Sequence, residues 1–191
     1  AMEEGQVTVD GVSHPVPQPF LVIATQNPAG AAGTQLLPDS QLDRFLLRLS
    51  IGYPAPADEL ELLRRRQYSQ AMEPVRQVLS RDQLAHLREM VDNIHISDEV
   101  LQYIVRLINA TRTHPQLAQG ASPRATLAVA AASRAAAFLR GRDYVIPEDV
   151  QCIWRDVIAH RLIPIPGSEG TITGGTVAAE ILNAVNPPRI R

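Results

Sequence analysis

The sequence predicts a mixed fold, in which a short α/β part is followed by a mostly α-helical part. Two apolar runs, FLVIA at residues 20–24 and LLRLSI at residues 46–51, are typical of strands in a sheet covered by helices. The segment YPAP at residues 53–56 then interrupts the pattern, as a linker does. From Asp58 onward, apolar residues recur at helical spacing.

Composition narrows the class of protein. The chain has 191 residues, a net charge of −2 and 45% hydrophobic residues, which is enough to form the core of one domain or of a small pair. No apolar run approaches membrane-spanning length, and the first residues do not resemble a signal peptide. The single cysteine, Cys152, fits a reducing compartment, so we expect a cytoplasmic protein. The scattered histidines lack metal-ligand spacing. The near-neutral net charge gives no sign of a basic surface that could bind nucleic acid.

The first predicted element is a β-hairpin in QVTVDGVSHPV, residues 6–16. Asp10-Gly11 between two short alternating segments favours a type I′ turn, which needs positive φ at both central residues. Two interpretations stay open at this point. The hairpin could be an ordinary edge hairpin, or it could contact a substrate or a partner.

A candidate ligand-binding position follows the first apolar run. Thr25-Gln26-Asn27 lies directly after it, and Pro28 then stops strand pairing. Ligands of open α/β sheets lie just beyond the carboxyl ends of the strands, so Asn27 is well placed to touch one. A polar residue in this place is also a common turn former that satisfies its own backbone.

A second candidate, Arg44, lies in a predicted short helix within PDSQLDRF, residues 38–45, where Asp39 or Ser40 is expected at the cap. The neighbouring Asp43 allows a surface ion pair worth under about 1 kcal/mol. The planar guanidinium of Arg44 equally suits phosphate oxygens. Both interpretations are open from the residues alone.

The helical part is predicted from caps and apolar spacing. The predicted helices are residues 58–68, 80–93, 97–113, 122–140, 147–161 and 173–185. The Ala-rich helix that starts after residue 122 is expected to pack closely in the core, and Trp154 and Cys152 are expected to be core residues too.

A third candidate, Arg124, lies at the start of one of these helices. Ser122 can cap this helix, and Pro123 suits its first position. Arg124 then falls in the first turn, where the helix dipole disfavours a cation by about 0.3–1 kcal/mol. An anion bound there would meet both the guanidinium and the free amides of the helix N-terminus.

Several of these motifs, in order, closely resemble the second half of MoxR-type AAA+ ATPases: ATQNP, LPDSQLDRF, LLRLSIGYP, GASPRA and GRDYVIPEDV. The resemblance implies that residues 1–53 are the C-terminal part of the AAA+ ATPase core, with a hairpin, the sensor 1 strand, the arginine-finger helix and the last strand. Residues 54–78 would be the linker and first helix, and residues 79–191 the helical lid domain. Asn27 would be sensor 1, Arg44 the arginine finger that acts on a neighbouring subunit, and Arg124 sensor 2.

The nucleotide cradle of such an ATPase is missing from the sequence. The chain contains no lysine and therefore no Walker A motif, and no apolar strand ends in Asp-Glu, as a Walker B motif requires. We therefore expect a C-terminal fragment that is inactive alone. The complete protein would need ATP and Mg²⁺, and neither is expected to bind tightly to these residues.

The resemblance also implies a function. Such a protein would form a ring, expected to be a hexamer, and couple ATP hydrolysis to the assembly, maturation or activation of other proteins, often with a partner that bears a von Willebrand factor A domain. One alternative is a nucleotide-independent helical interaction module, in which Asn27, Arg44 and Arg124 are structural. Another is a related AAA+ motor acting on DNA, such as an MCM-like helicase, although the charge balance and the lack of lysine argue against nucleic acid.

Overall fold

The structure is a computed structural model that describes residues 5–26, 37–67, 75–167 and 172–189. Its elements are β1 (Gln6–Val9), β2 (Val12–Pro15), α1 (Asp39–Leu42), α2 (Pro56–Gln67), α3 (Arg81–Asp92), α4 (Asp98–Arg112), β3 (Leu117–Gln119), α5 (Pro123–Leu139), α6 (Pro147–Ile158), a 3₁₀ turn (Ala159–Arg161), β4 (Ile163–Pro164) and α7 (Gly174–Ala184). This order agrees with the predicted fold class, because a hairpin-containing first part is followed by a mostly helical second part.

The predicted hairpin forms. β1 and β2 pair antiparallel, with Gln6 opposite Pro15 and Val9 opposite Val12. The turn residues Asp10 and Gly11 have φ values of 50° and 79°, as a type I′ turn requires. The residues of both strands are exposed, so the hairpin projects from the rest of the described chain.

The two apolar runs, residues 20–24 and 46–51, do not form strands. Leu21 and Ile23 are 80% and 82% exposed, and Ile51 is 97% exposed. A strand depends on hydrogen bonds to neighbouring strands, and the two sheets of the described residues contain only β1 with β2 and β3 with β4. The prediction of strands buried on both faces is wrong for this structure, because no described segment pairs with either run.

The predicted helices form with ends close to those expected. At α3, the Ser80 hydroxyl accepts from the Gln83 amide at 3.1 Å, and the Gln83 side chain accepts from the Ser80 amide at 2.8 Å, which is a capping box. The short helix α1 differs from expectation. It begins after Pro38 without a side-chain cap, so neither Asp39 nor Ser40 caps it. None of the described helices is long and apolar enough to cross a membrane.

The core lies among α4, α5, α6 and α7. Its fully buried members include Val100, Tyr103, Ile104, Leu107, Ile108, Val129, Val150, Trp154, Val157, Ile158 and Val177. Ala125, Ala128 and Ala132 bury small side chains along α5, as expected of a helix that packs closely. The Trp154 indole donates to the Ala178 carbonyl at 2.8 Å and so joins α6 to α7. Cys152, in contrast, is exposed, because it lies two residues from both Val150 and Trp154 and therefore on the opposite face of α6.

A buried carboxylate fixes the turn between α5 and α6. The Asp149 side chain is fully buried and accepts from Arg140 at 2.5 Å, from Arg142 at 2.5 and 2.7 Å, and from the Ile146 amide at 2.9 Å. Burial raises the pKa of Asp149, but the hydrogen bonds from Arg142, Ile146 and Arg140 outweigh burial, so this pKa lies below its ordinary value. The ionised carboxylate therefore holds the two helices at this turn.

Candidate functional site

The structure describes two of the three predicted site residues. Arg44 is exposed and lies in the turn that follows α1. Arg124 lies in the first turn of α5, directly after Pro123. Asn27 lies outside the described residues. Although Arg44 and Arg124 are far apart in sequence, the segments that carry them meet at Asp43, the residue before Arg44.

The Asp43 carboxylate accepts hydrogen bonds from three side chains of the helical part. Its Oδ2 accepts from Arg124 Nη1 at 3.3 Å and from the Ser122 hydroxyl at 3.1 Å. Its Oδ1 accepts from Arg161 Nε at 3.1 Å. These four residues, Asp43, Ser122, Arg124 and Arg161, are called the Asp43 junction below. Ser122 occupies the N-cap position of α5 but makes no side-chain cap hydrogen bond, and its hydroxyl donates to Asp43.

The last turn of α4 positions the start of α5. The Ala121 amide donates to Thr111 Oγ1 at 2.9 Å, and Arg112 Nε donates to the Ala121 carbonyl at 3.0 Å. Gly120 packs so closely that a Cβ there would lie 2.6 Å from the Arg112 Cα, so glycine is required. The start of the GASPR segment, residues 120–124, is thus attached to the end of α4. Ser122 and Arg124, further along the same segment, contact Asp43.

Arg161, at the end of the 3₁₀ turn after α6, holds the other side of Asp43. Its side chain is 2% exposed, and it donates to the carbonyls of Asp43 at 3.1 Å, Phe45 at 2.7 Å and Leu46 at 3.2 Å. It also donates to the Val157 carbonyl of α6. Burial lowers the pKa of Arg161, and the Asp43 carboxylate opposes that shift. A guanidinium has enough donors in one plane to serve all these acceptors at once.

His160 adds a second contact to the same segment. Its Nε2 lies 3.0 Å from the Phe45 carbonyl, so Nε2 carries the proton and donates. Its Nδ1 is buried and has no hydrogen-bond partner among the described residues. Burial lowers the pKa of His160, as do the charges of Arg161 and Arg48, while Phe45 and Asp43 oppose the shift. The imidazole is therefore held neutral.

The arrangement suits an anion such as a phosphate group. The Arg124 side chain is 41% exposed although it contacts Asp43, and Arg44 is exposed beside the same carboxylate. Arg124, in the first turn of α5, combines guanidinium donors with the positive end of a helix dipole, and Arg44 directly follows Asp43, the residue that Arg124 contacts. The described residues contain no group of three or more His, Cys, Asp or Glu side chains that could hold a metal ion.

The sequence interpretation missed Asp43, His160 and Arg161 as parts of this site. Asp43 entered only as a possible partner of Arg44. A usable signal existed for Arg161, because it continues the apolar spacing of α6 set by Val150, Trp154 and Val157. A charged residue on the buried face of a helix needs a partner, and that partner is Asp43.

Comparisons with known proteins agree with this architecture. The family model described as ATPase family associated with various cellular activities (AAA) matches residues 1–47, and the model of the AAA lid domain matches residues 109–183. A Bacillus subtilis protein named YeaC is 40% identical over 98% of this chain and 59% of its own length. The Mycobacterium tuberculosis protein named Chaperone MoxR1 is 42% identical over 85% of this chain and 45% of its own length.

A solved structure shows the same fold. The crystal structure of a candidate ATPase from Cytophaga hutchinsonii superposes with a TM-score of 0.89 at 33% identity, over 98% of this chain and 60% of that one. The chain spans about half the length of the curated relatives that it matches. The motifs, the fold and these matches together show that the chain belongs to the MoxR-type AAA+ ATPases, of which it carries the end of the ATPase core and the lid.

Proposed function

We propose that this chain supplies residues that complete the ATP sites of a ring-shaped AAA+ ATPase. Arg44 serves as the arginine finger on a neighbouring subunit's nucleotide, Arg124 as sensor 2, and Asn27 as sensor 1. Phosphoryl transfer depends on placement and charge stabilisation, which amide and guanidinium groups provide. ATP and Mg²⁺ are held by a cradle that lies outside these residues.

The contact between Arg124 and Asp43 carries the proposal. It joins the first turn of α5 to the residue before Arg44, at 3.3 Å. The segments that carry the two arginines thereby meet, and both side chains have access to solvent, since Arg44 is exposed and the Arg124 side chain is 41% exposed. Exposure favours action on a group outside the chain's own core, as expected of side chains that contact a nucleotide across a subunit interface.

The test uses the complete protein, meaning the chain that carries both these residues and the nucleotide cradle. Arg44→Ala should lower kcat for ATP hydrolysis by about 10³-fold or more, because an arginine finger is worth about that much. Arg124→Ala should lower it by about 10²-fold, as expected for one donor to a developing anion. Arg48→Ala, in the same segment and exposed, is the control and should retain activity. Near-normal hydrolysis by Arg44→Ala would refute the finger assignment.

A nucleotide-independent interaction module is the second candidate. It is favoured by one observation, namely that Arg124 already has a carboxylate partner within its own chain. If this alternative holds, the Arg44→Ala and Arg124→Ala proteins hydrolyse ATP like the control. In that case the Asp43 junction is a structural contact alone.

Membership of the family supports a proposal for the biological role. We propose that the complete protein forms a ring, expected to be a hexamer, and acts as a chaperone-like factor in the assembly or activation of other proteins, with a partner that bears a von Willebrand factor A domain. The Mycobacterium tuberculosis relative is itself named a chaperone. Mass measurement in solution with ATP tests the ring, and binding to a purified von Willebrand factor A domain tests the partner. Salt-dependent binding of the ring to DNA would instead favour a DNA motor.

The 191 residues alone should not hydrolyse ATP. They contain no lysine and therefore no Walker A motif to hold the β- and γ-phosphates. A phosphate-release assay on the purified chain should remain at background. Steady hydrolysis by these residues alone would contradict the assignment of the cradle to another segment.

A further inference from the structure

The segment that bears Arg44 is attached to the helical part largely through one side chain. Arg161 donates to the Asp43 carboxylate and to the carbonyls of Asp43, Phe45 and Leu46. These acceptors lie on both sides of Arg44 in the chain. The backbone from which the Arg44 side chain departs is therefore held by the Arg161 guanidinium.

Few other contacts hold this segment to the helices that follow. His160 donates to the Phe45 carbonyl, and the Arg48 amide donates to the Asp156 carbonyl at 2.9 Å. Leu46 and Leu47 are 46% and 41% exposed, so each of these apolar side chains is only partly buried. Without Arg161, the segment would still be joined to the helical part by these two hydrogen bonds and by the contacts of Asp43 with Ser122 and Arg124.

We propose that Arg161 is the positioning residue for Arg44, so that the lid sets the direction in which the arginine finger leaves the ATPase core. The inference rests on the proposed role of Arg44 as the finger. Arg161 itself is buried and touches no nucleotide. Because its donors clamp the backbone on both sides of Arg44, any rotation of the lid is transmitted to Arg44, and the lid and the finger move as one body.

The first test is the kinetics of the complete protein with Arg161→Lys. Lysine keeps the charge, but its single ammonium cannot reach the carboxylate and three carbonyls together. We expect kcat to fall by about 10²-fold, because misplacing a group by about 1 Å has that effect. The KM for ATP should stay unchanged, since the cradle binds the nucleotide. Arg155→Ala removes an exposed arginine from α6, the helix that precedes the turn of Arg161, and should leave kcat unchanged.

The second test separates positioning from a merely structural role. If Arg161 acts through Arg44, then Arg161→Lys should lower kcat no further in an Arg44→Ala background. An independent structural defect would instead add its full loss in both backgrounds. Should Arg161→Lys fail to assemble, His160→Leu, which removes the other side-chain hydrogen bond to Phe45, becomes the deciding variant. It should lower kcat by about 10-fold, again only when Arg44 is present.

The outcomes distinguish the two proposals. If Arg44→Ala is impaired while Arg161→Lys and His160→Leu hydrolyse ATP like Arg155→Ala, the finger stands and the positioning role is wrong. If the loss from Arg161→Lys persists undiminished in the Arg44→Ala background, the positioning role is also wrong. If Arg44→Ala itself is fully active, the proposed function fails first.

Discussion

Arg161 donates through Nε to the Asp43 carboxylate at 3.1 Å, although the two residues lie 118 positions apart. The same carboxylate accepts from Ser122 and Arg124. One aspartate thus joins the segment after α1 to the start of α5 and to the turn after α6. Because Arg161 is buried and charged, it needs the Asp43 carboxylate as a counter-charge. The attachment of the segment after α1 therefore depends on this ion pair more than on apolar packing.

Replacing Asp43 should detach this segment. Asp43→Ala leaves the buried Arg161 without its counter-charge, which should cost about 3 kcal/mol of unfolding free energy. The Arg44 and Phe45 amides, which donate to Gln41 and Leu42, should then exchange their hydrogens faster. Hydrogen exchange and urea unfolding measure the two effects. Asp39→Ala, at an exposed position of α1, should change neither, and normal protection of these amides in Asp43→Ala would show that other contacts hold the segment.

Asp149 should be the most sensitive acidic residue of the helical part. Both of its oxygens accept hydrogen bonds, so the amide of Asp149→Asn would set its NH₂ group against donors from Arg142 or Ile146. We expect a loss of about 2–3 kcal/mol in unfolding free energy, as for hydrogen bonds to a charged group. Urea unfolding measures this loss.

Glu148→Gln is the matched control for Asp149, because Glu148 is the neighbouring residue and is exposed. It should lower stability by less than about 0.5 kcal/mol. Since the folded-state pKa of Asp149 lies below its ordinary value, its contribution is present above that ordinary value and is lost as pH falls through the folded pKa. Equal stability of the two variants at neutral pH would contradict the importance of the buried carboxylate.

Local features of the sequence were enough to predict the helices. The caps at Ser80 and Thr173 and the proline at the first position of α5 mark boundaries through hydrogen bonds within a few residues. The Asp10-Gly11 turn was equally local. Such features depend on neighbours in sequence, so one sequence is sufficient to locate them.

The remaining features depend on partners distant in sequence or absent from it. The runs at residues 20–24 and 46–51 have the composition of buried strands, but a buried strand needs neighbouring strands to pair with and helices over both faces of the sheet. The chain spans 59% of one relative and 45% of another, so those proteins have residues beyond the matched part. Likewise, the apolar spacing of α6 marks Arg161 as buried, but nothing in one sequence indicates that its partner is Asp43 rather than another acidic residue.

His160 should make stability depend on pH. Its folded pKa lies below the ordinary value of 6.5, because it is buried beside Arg161 and Arg48, with Asp43 only partly offsetting them. Between the folded pKa and about 6.5 the unfolded chain binds a proton that the folded chain does not. The contribution of His160 to the unfolding free energy is therefore at its full value above about pH 6.5. It decreases as the pH falls towards the folded pKa.

Urea unfolding at several pH values measures this dependence. His160→Gln keeps an N–H donor for the Phe45 carbonyl and removes the titration, so its stability should change less between pH 7 and pH 5 than that of the unaltered chain. His86→Gln removes a histidine that is 72% exposed in its side chain and should keep the original pH dependence. An identical pH dependence in His160→Gln and the unaltered chain would show that other groups cause it.

Two adjacent glycines at the start of α7 should respond oppositely to alanine. A Cβ on Gly174 would clash with the Ala159 carbonyl oxygen, so the backbone after α6 or α7 itself must shift. Overpacking of this kind costs about 1–3 kcal/mol, and it would also disturb the turn that carries His160 and Arg161. A Cβ on Gly175 meets the Arg155 guanidinium at 3.3 Å, which can move aside, and the Thr173 hydroxyl at 3.7 Å, which is an ordinary contact. Gly175→Ala should therefore leave stability unchanged or raise it by up to about 1 kcal/mol, since alanine favours the helix.

Urea unfolding of the Gly174→Ala and Gly175→Ala variants measures the difference in unfolding free energy. Similar effects at the two positions would mean that α7 does not pack closely against the turn after α6.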